Sequence, residues 1–360
     1  MPNTRPRLTF NEEGVCSACS WAEEKKSNIL WDLRQKELET FCLHHKKRNA
    51  SQFNCILPVS GGKDSSYVAY MMRDKMGMKP LAITLAPPLP FEIGKQNLEN
   101  FINSGFDHIR ITVNPKISGQ ITKKAFFEQG QPLMSWIMSV QTAIFRLAVL
   151  FDISFIMFGE EGEAEYGGSG ELKNKACYDL DTSIKLYLSG NDPNYYLGEF
   201  SKEDTYWLQY PDEADFRRLN PDIAHWSYFE NWDSYRNYMV AKEKFGLQEQ
   251  TERCLGTYNN FAQTDTTLYD LHTYLMYLKF GFGRCSQDVG IDIRRGALSR
   301  KQGLALVKRY DGEYPEPYIS GYLEYMNISI NEFNEALDRH VNKALFEKVN
   351  GRWKPTFEQQ

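Results

Sequence analysis

The run Ser60-Gly61-Gly62-Lys63-Asp64-Ser65-Ser66 gathers residue types that can hold a phosphate. Two adjacent glycines let the backbone come close to an anion, and N–H groups and serine hydroxyls at a helix N-terminus can converge on it. Lys63 would neutralise charge there and Asp64 could carry Mg²⁺. A second group is Gly159-Glu160-Glu161-Gly162-Glu163-Ala164-Glu165-Tyr166-Gly167-Gly168. Its four carboxylates suit holding Mg²⁺ against phosphates, or taking a proton from an amine nucleophile. Most such runs are solvated acidic turns, so position decides between the readings. A third group runs from Lys279 through Phe280-Gly281-Phe282-Gly283 to Arg284, then Asp288, Arg294, Arg295 and Arg300. These cations could meet a phosphate or a sugar carboxylate, although for any single arginine a plain surface role is as good a reading. A fourth is Cys16-Ser17-Ala18-Cys19, half a zinc knuckle by spacing, which Cys42-Leu43-His44-His45 could complete with Cys42 and His45. Against that, Leu38, Phe41, Cys42 and His45 form the apolar stripe of a helix, where Cys42 could be core.

These groups need elements to position them. The apolar run Phe53–Val59 before the glycine turn reads as a buried strand, and Tyr67, Val68, Tyr70, Met71 and Met72 give the following helix an apolar side that ends at Gly77. Strands are expected at 54–59, 80–86, 108–112 and 154–158, with helices at 29–47, 65–76, 95–103 and 134–151. That alternation predicts a doubly wound α/β fold with a parallel sheet. Ligands bind beyond the carboxyl ends of such strands, so the loops after 59, 86, 112 and 158 should share one rim. Thr84 and Gly159 then join Ser60–Ser66 as nucleotide-binding candidates, and Glu160, Glu161 and Glu163 move toward a functional role.

The expected division is an extension over 1–50, a nucleotide-binding α/β domain over 51–168, an insertion or lid over 169–230, and a mainly helical region over 231–360. Residues 169–225 are rich in Gly, Asn, Asp, Tyr and Pro and lack periodicity, as mobile or functional loops do. Many of the 21 Tyr, 22 Phe and 7 Trp cluster between 178 and 235. Such rings suit sugar or nucleobase faces, but building a local core is the more economical reading. Farther on, helices are expected at 232–245, 268–280 and 299–310, and Ser329-Ile330-Asn331-Glu332 has the form of a capping box.

The 360 residues, 42% of them hydrophobic and 25% charged, are those of an ordinary soluble globular protein. A net charge of −5 argues against an extended nucleic-acid surface. No stretch reaches the length of a membrane span, and no apolar signal region follows Met1-Pro2, so a cytoplasmic location is expected. Seven cysteines fit reduced thiols or metal ligands better than a disulfide framework. Cys55, Cys177, Cys254 and Cys285 show no iron–sulfur spacing.

The Ser-Gly-Gly-x-Asp-Ser order differs from a Walker A loop and resembles the loop of the PP-loop ATP pyrophosphatases, which split ATP into AMP and pyrophosphate. Gly14–Cys19, Pro58–Ser65, Glu165–Gly168, Gly256-Thr257-Tyr258 and Lys279–Arg284 together resemble the N-acetyl sugar amidotransferases. The likeness runs from about Gly14 to about Arg339 and is greatest to the pseudaminic acid branch. It implies conversion of a sugar acetamido group to an acetamidino group in bacterial surface-glycan synthesis, either lipopolysaccharide O-antigen or the pseudaminic acid that decorates flagellin. ATP and Mg²⁺ are the implied cofactors, with Zn²⁺ a candidate at the cysteines.

The reaction the resemblance implies is adenylation of the amide oxygen followed by attack of ammonia and release of AMP. Lys63 and the loop amides would stabilise the departing pyrophosphate. Lys63, Asp64, Glu160 and Glu163 are the catalytic candidates. Glu161, Tyr166, Gly167, Lys279, Arg284 and Arg294 are the candidates for an N-acetylated, nucleotide-activated sugar. Pro2 stands where an N-terminal nucleophile glutaminase needs cysteine, and no Gly-x-Cys-x-Gly elbow occurs. Ammonia is therefore expected from solution or from a separate glutaminase subunit. Rival readings are a tRNA-thiolating enzyme, for which Cys177 is the only thiol expected near the rim, a non-catalytic nucleotide-binding subunit, and a ligase related to NAD or asparagine synthetases.

Overall fold

Six short runs form one sheet: β1 (Cys55–Pro58), β2 (Pro80–Leu85), β3 (His108–Ile111), β4 (Phe155–Phe158), β5 (Cys177–Tyr178) and β6 (Asp222–His225), in the order β3-β2-β1-β4-β6-β5. A computed structural model describes residues 1–48, 52–188, 190–198 and 200–358; the expected boundary at 50–51 lies outside the described residues. All neighbouring strands pair in parallel except β5, which runs antiparallel to β6 at the edge. The architecture is therefore α/β with a mostly parallel sheet.

Side chains in a strand alternate between faces, and a parallel sheet covered on both faces needs apolar residues in both sets. Cys55, Leu57, Phe155 and Met157 pack on one face, with Leu38 and Cys42 of helix Trp31–Arg48, Tyr67 and Val68 of helix Lys63–Tyr70, and Phe245 of helix Ser234–Phe245. Ile56, Leu81, Ile83, Ile156 and Ile223 pack on the other, against Ala143, Ile144, Leu147 and Ala148 of helix Met134–Leu150. The four strands read from sequence are present within one or two residues of their expected ends.

β2 and β3 extend from one side of β1, whereas β4 and β6 lie on the other. The direction in which strands are added thus switches between β1 and β4, leaving a crevice outside their carboxyl ends. The loops that open there begin at Val59 and Gly159. The helix after β1 starts at Lys63, two residues earlier than expected, and passes at Met71–Lys75 into a π-helical turn.

The stretch expected to be an insertion contributes two strands of the sheet, β5 and β6. Four residues with a polar residue at each end give no readable period; pairing with β4 decides their conformation. Helices Leu180–Tyr187 and Glu213–Leu219 are short and rely on caps, Asp179 accepting from Thr182 N and Asp212 from Ala214 N. The aromatics here join the main core: Trp207, Tyr210 and Phe216 pack with the cluster around Phe145.

Helix Pro115–Gln129 escaped the periodicity reading, although Asn114 caps it, Pro115 opens it and left-handed Gly130 closes it. It carries Phe126 into a third core with Leu268, Leu271, Leu275, Tyr322 and Phe333 from the C-terminal helices. Ser329 and Glu332 form the expected capping box, and Ser299 with Gln302 forms another. The helical C-terminal region ends in a hairpin, β7 (Phe346–Val349) and β8 (Arg352–Pro355).

Gly61 has φ +79°, and a Cβ built there would lie 2.5 Å from the backbone nitrogen of Leu98. Gly105 also has positive φ (+94°) but opens on empty space. Gly105→Ala should therefore cost only the left-handed penalty of about 1 kcal/mol, and Gly61→Ala clearly more, measured by urea unfolding. Equal losses would show that the approach of helix Glu92–Asn103 does not constrain the turn.

Candidate active site

The turn after β1 is held by its own hydroxyls. Ser60 Oγ accepts from Gly62 N at 3.3 Å, while Ser65 Oγ accepts from Ser60 N at 3.2 Å and donates to the Gly62 carbonyl at 3.3 Å. Gly62 is the extended N-cap of helix Lys63–Tyr70, and no side chain caps that helix. Lys63 Nζ pairs with Asp64 Oδ2, and Asn237 Nδ2 donates to Asp64 Oδ1 at 2.9 Å. The Ser66 hydroxyl is buried without a partner and does not line the cavity.

The second loop sorts its carboxylates. Glu161 caps the short helix Gly162–Tyr166, accepting from Glu163 N at 3.1 Å and Ala164 N at 2.8 Å, and burial pushes its pKa up to about 7. Glu163 takes a two-pronged bond from Arg7 at 2.8 and 2.6 Å and accepts from Ser169 N at 2.9 Å. Glu165 accepts from Trp21 Nε1 at 3.0 Å and Lys25 Nζ at 2.6 Å. Only Glu160 faces the cavity, where the Tyr166 hydroxyl donates to it at 3.3 Å.

A cavity of about 300 Å³ joins these parts. Ser60, Gly62, Lys63, Asp64, Ser65, Glu160, Tyr166 and Arg284 line it, so the structure brings together those eight of the sequence candidates. The others lie elsewhere. Gly61 backs onto Leu98, and Thr84 donates to the Val59 carbonyl from beneath the sheet end. Gly159 abuts the Trp232 ring. Gly167 lies against Ala18 and Leu8, and Lys279 donates to the Gln129 carbonyl at 2.8 Å. Arg294 lines a neighbouring cavity. Glu163 and Glu161 serve the loop's own structure, as above.

The opposite wall comes from the C-terminal region, chiefly Gln263, Asp265, Tyr269, Arg284 and Asp288. Arg284 donates to the Tyr269 hydroxyl at 2.6 Å and pairs with Asp288 at 3.1 Å. Asp288 is also held by Thr257 Oγ1 at 2.6 Å and Asn259 Nδ2 at 3.1 Å. Asp265, Tyr269 and Asn237 had no signal in sequence, since neither motif nor period marks them.

Burial opposes the charge on Lys63, but Asp64 and Glu160 more than offset it and raise its pKa. Glu160 is raised by burial and by the charge of Asp64. Burial lifts Asp265 to about 6, against the Ser60 hydroxyl and Lys63. The Tyr166 phenol is pushed up by burial and by Glu160, so it keeps its proton. This is a set of oxygen donors around one lysine. Asp64 fits Mg²⁺, which takes one or two carboxylates and completes its shell with phosphate and water oxygens. Among the described residues no three His, Cys, Asp or Glu side chains form a metal cluster by themselves.

The zinc set does not assemble. Cys16 is the N-cap of helix Ser17–Ser27, its thiol pKa lowered by a hydrogen bond from Cys19. Cys42 is in the core, with its pKa pushed up to about 12 by burial. Both ring nitrogens of His45 are engaged, Nε2 with Asp222 at 2.9 Å and Nδ1 with Ser154 at 3.2 Å, and the ring stacks on Phe155 at 4.5 Å. Spacing could not distinguish a core helix stripe from a ligand pair.

Residues 255–358 match the family "LPS biosynthesis protein WbpG-like, C-terminal domain". Residues 255–358 are thus similar to that WbpG-like domain. The match supports the N-acetyl sugar amidotransferase family without selecting its pseudaminic acid branch. No curated protein matches the chain. Among solved structures, a predicted subunit of tRNA methyltransferase from Methanocaldococcus jannaschii is 15% identical over 52% of this chain and 76% of its own (TM-score 0.28). The U34-tRNA thiolase NcsA from Methanococcus maripaludis, with its 4Fe–4S cluster, is 12% identical over 82% and 80% (0.32). NMN synthetase from Francisella tularensis is 13% identical over 85% and 96% (0.26). Likeness at these scores bears on neither substrate nor reaction. The WbpG-like domain supplies Tyr269, Arg284 and Asp288 to the cavity.

Behind Arg284, Asp270 is 4% exposed, and its Oδ2 has no partner. Burial raises its pKa to about 8 from 3.8. A carboxyl raised in the folded state lends its full stability below the unfolded value and loses it as pH rises through the folded one. Asp270→Asn should therefore stabilise the protein by a margin that widens from pH 5 to pH 9. A margin independent of pH, by urea unfolding, would mean that Asp270 is not neutral in the folded chain.

Proposed function

We propose that the chain is an ATP-dependent amidotransferase that converts the acetamido group of a sugar to an acetamidino group. The observation that carries this reading is that the WbpG-like domain and the Ser60–Ser66 turn close on one cavity. ATP binds with its phosphates on the turn, where Lys63 and the N–H groups of the helix start meet the pyrophosphate. Mg²⁺, which Asp64 would hold, would add charge neutralisation on the phosphates. The amide oxygen attacks the α-phosphate, the bond to pyrophosphate breaks, and an O-adenylyl imidate forms. Ammonia adds to its carbon, a proton is lost, and the C–O bond to AMP breaks. Glu160, with its raised pKa beside a protonated Tyr166, is the group suited to take that proton. Ammonia comes from solution or from a separate glutaminase subunit.

Sulfur transfer finds less support. Among the described residues no cysteine lines the cavity. Cys177 sits in edge strand β5, its pKa pushed up to about 12 by burial.

The test is incubation with ATP, Mg²⁺, ammonium and a panel of acetamido sugars from the O-antigen and pseudaminic acid series, with products read by mass spectrometry. The expected product has NH in place of O, with one AMP released for each sugar changed; ADP in place of AMP would overturn the reading. Replacing ammonium with glutamine should stop turnover of the chain alone. Lys63→Ala and Asp64→Asn should each lower AMP formation by about 10²–10³-fold, the scale of a lost transition-state contact, with the circular dichroism spectrum unchanged. Near-normal rates in either would remove the turn from the mechanism.

A further inference from the structure

Asp64 reaches the cavity from the phosphate turn with its two oxygens already divided. Oδ2 pairs with Lys63, whereas Oδ1 accepts from Asn237 Nδ2 at 2.9 Å. Asn237 is fully buried in helix Ser234–Phe245 and does not line the cavity. Its own amide is oriented from the other side, where Arg236 Nη2 donates to its Oδ1 at 3.3 Å. An amide turned over would set oxygen against the carboxylate and N–H against the guanidinium, so one orientation alone satisfies both neighbours. Arg236 is held in turn. Its Nη1 pairs with Glu230 at 3.0 Å, and its guanidinium lies 4.5 Å from the centre of the Tyr67 ring. Glu230 also accepts from the Tyr67 hydroxyl at 2.8 Å and from Trp226 Nε1 at 2.6 Å. Tyr67 and Asp64 are three residues apart on helix Lys63–Tyr70 and so share a face. The contacts close a ring, from Asp64 through Asn237, Arg236 and Glu230 to Tyr67 and back along one helical turn.

A carboxylate beside a lysine in the first turn of a helix has two easy alternatives. It can turn both oxygens to the ammonium, or swing away into solvent. Either forfeits the arrangement that phosphate chemistry needs, with the lysine on the phosphates and a carboxylate oxygen on their counter-cation. We infer that Asn237 is a positioning residue of the nucleotide site: it fixes Asp64 with Oδ2 on the cavity side and limits the claim of that carboxylate on Lys63. The inference rests on the proposed function in that ATP occupies the turn, and it gives a part to a residue that touches no substrate. An amide suits the task because it supplies a donor without adding charge. A cation there would compete with the counter-cation for Asp64, and a carboxylate would repel it. Arg236 has its charge met by Glu230 and reaches Asp64 through the amide.

The experiment is calorimetric titration with α,β-methylene-ATP, which cannot be split to AMP, in the presence of Mg²⁺ and without sugar. Asn237→Leu keeps the volume and removes the donor, and it should weaken binding about tenfold, the scale of a hydrogen bond to a charged group. In an Asp64→Asn background the same substitution should change affinity by less than about twofold, because the carboxylate it positions is gone. Equal losses in the two backgrounds would make Asn237 a structural residue and overturn the inference, as would an unchanged affinity in Asn237→Leu. Should that variant fail to fold by circular dichroism, Arg236→Gln decides, since it leaves the buried amide in place and removes the group that orients it. It should weaken binding about threefold when Asp64 is present and not when Asp64 is Asn; a loss independent of Asp64 would again overturn the inference. Wild type that fails to bind the analogue would overturn the proposed function and the inference with it, whereas equal binding by wild type and Asn237→Leu overturns the inference alone.

Discussion

Ile56 of β1 lies opposite Ile156 of β4, and the position of the chemistry follows from that pairing. Two strands far apart in sequence become neighbours at the point where the sheet changes its direction of growth. Their following loops, one built of glycine and serine and the other of glutamate, then open on the same crevice. The register is enforced from both faces. Moving one strand by a residue would turn Phe155 and Met157 out of the cluster holding Tyr67 and Phe245, and Ile156 out of the cluster holding Ile144 and Leu147.

Placing four carboxylates within six residues at such a rim would repel a polyphosphate unless most were neutralised. The fold does this one by one. Glu161 spends its charge on backbone N–H groups, Glu163 on Arg7, and Glu165 on Lys25 and Trp21. Glu160 is left to Lys63 and Asp64, and its own charge is discouraged by burial. The N-terminal segment therefore does more than precede the α/β domain: Arg7, Trp21 and Lys25 decide which glutamate remains available.

This sorting also marks what the sequence could reveal. Ser60–Ser66 was legible because seven consecutive residues in a strand–turn–helix setting admit few conformations, and β1, β2 and β4 were legible because burial on both faces demands apolar runs, while β3 shows as the alternation of Ile109 and Ile111 with His108 and Arg110. β6 was not, because Asp222-Ile223-Ala224-His225 becomes a strand only through its partner β4. Nor could spacing choose among Glu160, Glu161 and Glu163, since Glu163 is taken by Arg7, more than a hundred residues away, and Glu161 by the backbone of the helix it caps. Cys42 and His45 matched ligand spacing for the reason that core residues do: both recur at one helical turn. Asp265 reaches the cavity, and Asn237 reaches Asp64 behind its wall, through tertiary packing alone.

Tyr166 stands where these arrangements meet. Gly167 ends its short helix in a left-handed turn, with Ala18 and Leu8 packed so closely that a Cβ would come within 2.8 Å of each. The Tyr166 ring is thereby fixed by the N-terminal segment on one side, while its hydroxyl is tied to Glu160 on the other. Because burial keeps the phenol protonated, it can act as a donor to Glu160 across the physiological range and hold that carboxyl toward Lys63. A residue so placed couples the wall of one cavity to the Glu160 carboxyl of the other. The N-terminal helix, the loop after β4 and residues 255–358 thus meet around Tyr166.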